Sequence, residues 1–307
     1  MPDTPSIQIE APFGRVLTAM ATPFHHDGSL DTDGAAALAT HLVEHGCDGL
    51  VISGTTGESP TTTDAEKERL LRAVVEAVGD RASIVAGVGT YDTHHTVELA
   101  TAAEKAGADG LLVVTPYYSK PTQEGLLQHF GTAADATGLP VMLYDIPPRS
   151  IVPIAPDTMA RLAEHERIVA VKDATGNVFQ TSETIARTGL AYYCGEDALN
   201  LPLLAVGAVG MVSVVAHAAA AEYVEMVRAV DAGDIARARA IHQQLIPAVR
   251  AIMTRAPGAT MSKAVAELAG VIGSRTMRLP LVPATDDEVA ELRAGLAEAG
   301  LKVAEAA

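Results

Sequence analysis

Short, uninterrupted apolar runs alternate with alanine-rich segments in which apolar residues recur at helical spacing, from about residue 16 to about residue 230. The runs are VLTAMA from Val16, GLVIS from Gly49, SIVAGV from Ser83, GLLVVT from Gly110, PVMLYD from Pro140, IVAVK from Ile168, AYYCG from Ala191 and GMVSV from Gly210. Most are apolar throughout instead of alternating, as strands buried on both faces are when helices cover a parallel sheet. Between them, segments such as DAEKERLLRAVVEAVG from Asp64 and TVELATAAEKAG from Thr96 read as amphipathic helices closed by glycine. Eight such strand-helix units at roughly 30-residue spacing predict an α/β fold, a closed (β/α)8 TIM barrel, over 14–230. HGCDGLVISGTTG from His45 and KAGADGLLVVTPYY from Lys105 repeat a glycine, an Asp-Gly step and an apolar strand, the echo expected of a quarter-barrel repeat.

The strand signal stops near Asp231, and AGDIARARAIHQQLIPAVRAIM, MSKAVAELAG and DDEVAELRAGLAEAGL predict a C-terminal helical domain over 231–307 packed on the barrel. Residues 1–13 carry acid and proline, unlike a secretory signal, and read as a loose tail. No apolar run approaches the ~20 residues of a membrane helix, so the expected compartment is the cytoplasm. The formal net charge of −16 argues against nucleic acid or an anionic membrane surface as a partner. An anionic substrate must therefore meet a local positive site. Cys47 and Cys194 are far apart inside apolar runs and read as small buried hydrophobes.

In a barrel the chemistry gathers where strands end, because the following loops converge on one mouth. The sixth run ends on Lys172, and of the chain's six lysines only this one follows an unbroken apolar strand. A desolvated amine loses proton affinity and can attack a carbonyl to form a Schiff base; a lysine snorkelling to the rim, or paired with Asp173, satisfies the same pattern. The fifth run ends in YDIPPRS, placing Tyr144, a proton relay or a rim tyrosine, near Arg149, a carboxylate fork or a solvated loop residue. GTTGES after the second run offers Thr55 and Thr56 as hydroxyl and amide donors for a small carboxylate, without the Gly-Lys of a phosphate loop. TPYYSKP after the fourth run puts Tyr117 and Tyr118 in a loop where they serve the site or an oligomer contact. HLVEH from His41 matches a zinc-protease spacing, but it falls on the first predicted helix, outside a barrel, and lacks a third ligand. The His25-His26 and His94-His95 pairs read as parts of polar turns.

GTTGES, TPYYSKPTQEG, YDIPPRS, VKDATG and CGED, in that order, closely resemble the dihydrodipicolinate synthase family, within the pyruvate-dependent class I aldolases and lyases. The resemblance implies that Lys172 forms the imine with pyruvate, while Thr56 and the backbone at Val212 hold its carboxylate. It implies that Tyr144 shuttles protons and that Thr55 links it to Tyr118, which crosses from a neighbouring subunit. Arg149 would receive the carboxylate of L-aspartate 4-semialdehyde, and Gly195 matches a position whose backbone lies near bound substrate. No metal or organic cofactor is implied, and the implied assembly is a homotetramer, a dimer of dimers.

The pattern departs from many members in two places: Ser150-Ile151 replace Thr-Gly, and Asp64, Lys67, Tyr91 and His95 stand where lysine-inhibited members tend to place two histidines, an asparagine and a glutamate. The second departure sets an expectation of weak or absent feedback by lysine. The competing readings are another Schiff-base aldolase taking a hydroxy-oxo acid or sugar acid, and a catalytically silent barrel acting as a regulator.

Overall fold

A computed structural model describes residues 10–302. Eight parallel strands close into one barrel in sequence order: β1 (Val16–Ala19), β2 (Gly49–Ile52), β3 (Ser83–Gly87), β4 (Gly110–Val114), β5 (Val141–Asp145), β6 (Ile168–Asp173), β7 (Ala191–Cys194) and β8 (Gly210–Ser213). All eight apolar runs of the sequence are strands. The helices around them are α1 (Thr32–Glu44), α2 (Asp64–Val78), α3 (Thr93–Lys105), α4 (Gln123–Asp135), the single turn α5 (Pro147–Ser150), α6 (Pro156–Leu162), α7 (Val178–Thr188), α8 (Asn200–Ala205) and α9 (Ala216–Asp231). Three more, α10 (Ile235–Met253), α11 (Gly258–Leu268) and α12 (Asp286–Glu298), follow the barrel. Among the described residues no helix is long and apolar enough to cross a membrane.

The period-two alternation along each strand sorts the core into two layers. Leu17, Val51, Val85, Leu112, Met142, Ala170, Tyr193 and Val212 form a cluster inside the barrel. Their neighbours Val16, Leu50, Ile84, Leu111, Val141, Val171, Tyr192 and Met211 join the larger layer between sheet and helices. Lys172 is two residues past Ala170, so it points into the barrel with the inner set.

The expected tail, residues 1–13, falls mostly outside the described residues, but Phe13 within it is 1% exposed and packs against the inner cluster. The two Asp-Gly steps of the internal echo explain how it fits. A β-carbon at Gly110 would lie 2.3 Å from the Phe13 ring, and one at Gly49 would lie 2.8 Å from the Phe13 carbonyl oxygen. Each neighbouring aspartate then accepts from the start of the preceding strand: Asp48 from the Arg15 and Val16 amides, Asp109 from that of Ile84. The repeat is therefore one device used twice, glycine to admit the plug and aspartate to end the strand's unpaired amides.

α10 packs on α9 and α12, and α11 on α9 and α10. His94 and His95, read as part of a turn, lie instead in the first turn of α3, whose N-cap is Asp92. The cap is the signal that reading passed over, because Asp92 already satisfies the free amide of His94.

Candidate active site

Lys172 and Tyr144 are register partners on adjacent strands, and Lys172 also pairs with Tyr193 of β7. Lys172 is 5% exposed, and its Nζ lies 4.3 Å from the centre of the Tyr144 ring. Burial is the main reason its pKa falls to about 8; the Arg149 guanidinium adds to the fall, and the Asp197 carboxylate opposes it. Burial likewise drives the Tyr144 phenol up to about 12, against the pull of Arg149 and Thr55. At neutral pH the phenol keeps its proton and the amine sheds part of its own.

A second buried lysine shows why the first is unusual. Lys263 of α11, read from sequence as one of the charged helix or loop lysines, is 0% exposed. Its ammonium donates to Glu58 Oε1 at 2.5 Å and to the Thr276 carbonyl at 2.7 Å. Lys172 has neither a hydrogen-bond acceptor nor an ion-pair partner among the described residues, so the alternative of a pair with Asp173 fails. Asp173 instead accepts from the amide and hydroxyl of Thr175 and from the Thr181 hydroxyl. Burial lowers the Lys263 pKa to about 8 as well, so what separates the two amines is pairing: Lys263 has its acceptors, and Lys172 has none among the described residues.

A cavity of about 240 Å³ opens at the strand ends, with Ser53, Thr55, Ser59, Tyr117, Tyr144 and Arg149 in its wall. Arg149 sits on α5, where Pro147 and Pro148 start the turn. Its side chain is exposed and makes no ion pair or hydrogen bond among the described residues, which leaves a guanidinium fork free at the cavity edge. Ile151 holds φ 70° and is 55% exposed at the end of that turn. A branched residue in this left-handed region is strained.

Gly195 follows β7 and donates its amide to the Asp173 carbonyl at 2.7 Å. A β-carbon there would come within 3.0 Å of Lys172 Cγ and 3.1 Å of its Cε, so any side chain at this position would press on the lysine stem. Thr56 is 6% exposed in the turn after β2, and Val212 is 1% exposed in β8, one residue beyond the paired Cys194 and Met211. Neither is in the cavity wall, and neither are Lys172 and Gly195; Lys172 meets the wall through the Tyr144 ring. Tyr118 stands apart: it is 89% exposed with φ 71°, while its neighbour Tyr117 is half-buried with its ring edge-on to Tyr91, 5.4 Å between centres. The single chain thus brings Lys172, Tyr144, Thr55 and Arg149 together and leaves Tyr118 on the outside.

Sequence reasoning missed Asp197, the last residue of CGED. It is 3% exposed, and its carboxylate accepts from the Val214 and Val215 amides at 2.9 and 3.2 Å, from Asn200 Nδ2 at 3.2 Å and from the Ser213 hydroxyl. It ties the loop after β7 to the end of β8 and places a negative charge near Lys172.

Away from the cavity, Asp64 lies 2.9 Å from His95 Nε2 and 3.8 Å from Lys67 Nζ, while the Lys67 ammonium donates to the Thr62 carbonyl at 2.5 Å. His41 and His45 stack with ring centres 4.0 Å apart at the end of α1. No three of His, Cys, Asp or Glu among the described residues are grouped to hold a metal ion. Cys47 and Cys194 are free thiols, buried as expected, with burial driving both pKa values up.

Residues 12–299 match the model of the Dihydrodipicolinate synthetase family. A 4-hydroxy-tetrahydrodipicolinate synthase of Kineococcus radiotolerans is 65% identical over 98% of each chain, and one of Acidothermus cellulolyticus is 63% identical over 94% of each. The crystal structure of a dihydrodipicolinate synthase from Bacillus anthracis superposes with a TM-score of 0.89 at 43% identity, covering 93% of this chain and 98% of that one. With its barrel, its partnerless buried lysine and these relatives, the chain belongs to the dihydrodipicolinate synthetase family.

Proposed function

We propose that the protein is a 4-hydroxy-tetrahydrodipicolinate synthase, a lyase that condenses pyruvate with L-aspartate 4-semialdehyde in the diaminopimelate route to lysine. The observation that carries this reading is Lys172: a buried amine without a partner at the end of an apolar strand, its pKa near 8. About one such amine in ten is neutral at pH 7, against about one in 3,000 for an ordinary lysine. The neutral amine attacks the keto carbon of pyruvate, and loss of water leaves an imine on Lys172.

In the protonated imine the nitrogen draws electrons from the methyl carbon, which gives up a proton and becomes an enamine. Tyr144 is the proton carrier at that carbon, within reach because it shares the register of Lys172, and Thr55 in the cavity wall links it outward. The enamine carbon attacks the aldehyde, whose carboxylate pairs with Arg149. The amino group of the second substrate then closes the ring on the imine carbon and displaces Lys172, which returns to the free amine. Thr56 and the Val212 backbone take the pyruvate carboxylate, and Gly195 gives the second substrate room beside the lysine stem. The lysine supplies the electrophile, so the reaction as written draws on no organic cofactor.

The exposure of Tyr118 fits a residue that completes a neighbouring subunit's site, and we infer a homotetramer built from dimers that share this tyrosine. A soluble cytoplasmic setting accords with the two free buried thiols. The test of the reaction is a coupled assay offering pyruvate with L-aspartate 4-semialdehyde, and in parallel with hydroxy-oxo acid and sugar-acid aldehydes. Turnover with the semialdehyde at least ~100-fold above the others is expected, the margin for a site built around a paired carboxylate. A preference for another aldehyde would overturn the assignment.

A further inference from the structure

The GTTGES loop carries an acid that its substrate chemistry does not use. Glu58 is 2% exposed and holds φ 55°, a left-handed conformation that a non-glycine residue keeps only when its surroundings enforce it. Both of its carboxylate oxygens are taken by the C-terminal appendage, Oε1 by Lys263 Nζ at 2.5 Å and Oε2 by the Arg278 amide at 2.9 Å. Lys263 is fixed from two further sides, by the Thr276 carbonyl at 2.7 Å and by the face of Phe24 at 4.2 Å from its centre. The Arg278 side chain packs on the same Phe24 ring, donates to the Gly28 and Thr61 carbonyls and pairs with Glu66.

These contacts grip the loop from outside the barrel. Its cavity face lies on both sides of Glu58: Ser53, Gly54 and Thr55 before it, Ser59 and Pro60 after it. Inside the loop the Glu58 amide donates to the Thr55 carbonyl at 3.2 Å, the Glu58 carbonyl accepts from the Thr61 amide at 3.0 Å, and the Thr22 hydroxyl holds the Gly57 carbonyl at 2.7 Å. Glu58, whose side chain does not line the cavity, thus holds the Thr55 carbonyl and sits two residues after Thr56.

We propose that Glu58 and Lys263 are positioning residues: their buried ion pair lets the helical appendage hold the Thr55–Thr56 loop in the shape that receives the pyruvate carboxylate. The inference rests on the functional reading above, since it assigns pyruvate to that loop. It gives the appendage a catalytic purpose that packing alone does not.

The test is the double variant Glu58→Gln/Lys263→Met, which removes both charges together and strands neither. Its control is Arg15→Met, which breaks the pair between Arg15 and Asp231 at the opposite end of the barrel. For the folded double variant the account expects a rise in pyruvate KM of about fivefold or more, with semialdehyde KM within about twofold, because a small loop displacement acts on the group the loop holds. Arg15→Met should move neither KM at a comparable loss of thermal midpoint. Should the double variant not fold, Glu58→Gln alone keeps the shape and two hydrogen-bonding atoms, and the same selective rise of about threefold is expected of it. A folded variant with pyruvate KM within about twofold of the parent, or with both KM values rising together, overturns the proposal. A parent that itself fails to condense pyruvate with the semialdehyde overturns the functional reading instead, and the clamp with it.

Discussion

A buried amine held for chemistry should weaken the fold, and replacing Lys172 with methionine measures by how much. Methionine has a similar length and volume and no charge, so it tests desolvation without opening a cavity. The fall of the lysine pKa from 10.5 to about 8 makes the folded protein bind fewer protons than the unfolded chain between those values. Stability therefore rises with pH through that window and is lowest, relative to a neutral side chain, below pH 8. At about 1.4 kcal/mol per pH unit the cost at pH 7 is about 3 kcal/mol. The ammonium 4.3 Å over the Tyr144 ring recovers part of it, about 1 kcal/mol for a cation at an aromatic face.

Lys172→Met should then be more stable than the parent by about 2 kcal/mol at pH 7, and by less than about 1 kcal/mol at pH 10, where the parent amine is already neutral in the fold. Urea unfolding of both proteins at the two pH values and one protein concentration reads this directly. The variant should also have no activity. A variant less stable than the parent at pH 7, or a difference that does not shrink at pH 10, would refute the claim that Lys172 is held at the expense of stability.

Three further outcomes follow from the site. Arg149→Ala should raise the KM for the semialdehyde by about 30-fold or more, the size of a lost charge-assisted pair, with the pyruvate KM changed several-fold less in steady-state assays. Gly195→Ala should cut the rate of pyruvate imine formation at least ~10-fold, because the new methyl group meets the Lys172 stem at 3.0 Å; trapping rates would show it, and an unchanged rate would mean the stem has room. L-Lysine at about 1 mM should leave most activity in place, because His95 is held by Asp64 and Lys67 by the Thr62 carbonyl, so neither is free for an amino-acid ligand; half-inhibition below that concentration would contradict this.

The barrel was legible because parallel strands covered on both faces are apolar at every position, so each run declared its own bounds. Lys172 was legible for the same reason, as the one lysine that breaks such a run. Tyr144, Arg149 and Thr55 followed from being next to strand ends. What was hidden depends on distance along the chain. Glu58 and Lys263 meet across 205 residues, and a lone lysine in MSKAVAELAG has the look of a solvated helix face until its burial is known. Asp197 stands in a quoted motif, but its task of holding the Val214 and Val215 amides just past β8 is visible only once β7 and β8 are neighbours. Phe13 was hidden in a proline-rich segment, and only the paired glycines of β2 and β4 point to something pressed beneath them. Tyr118 is the converse: its motif was plain, and the single chain leaves it without a contact that assigns its role.

The account stands on Lys172 being the amine that condenses with pyruvate. Incubation with pyruvate and borohydride, followed by proteolysis and mass spectrometry, should find one reduced adduct per chain, on the peptide containing Lys172 and not on that containing Lys263. A folded protein whose Lys172 peptide stays unmodified, or an adduct on a different lysine, would contradict it.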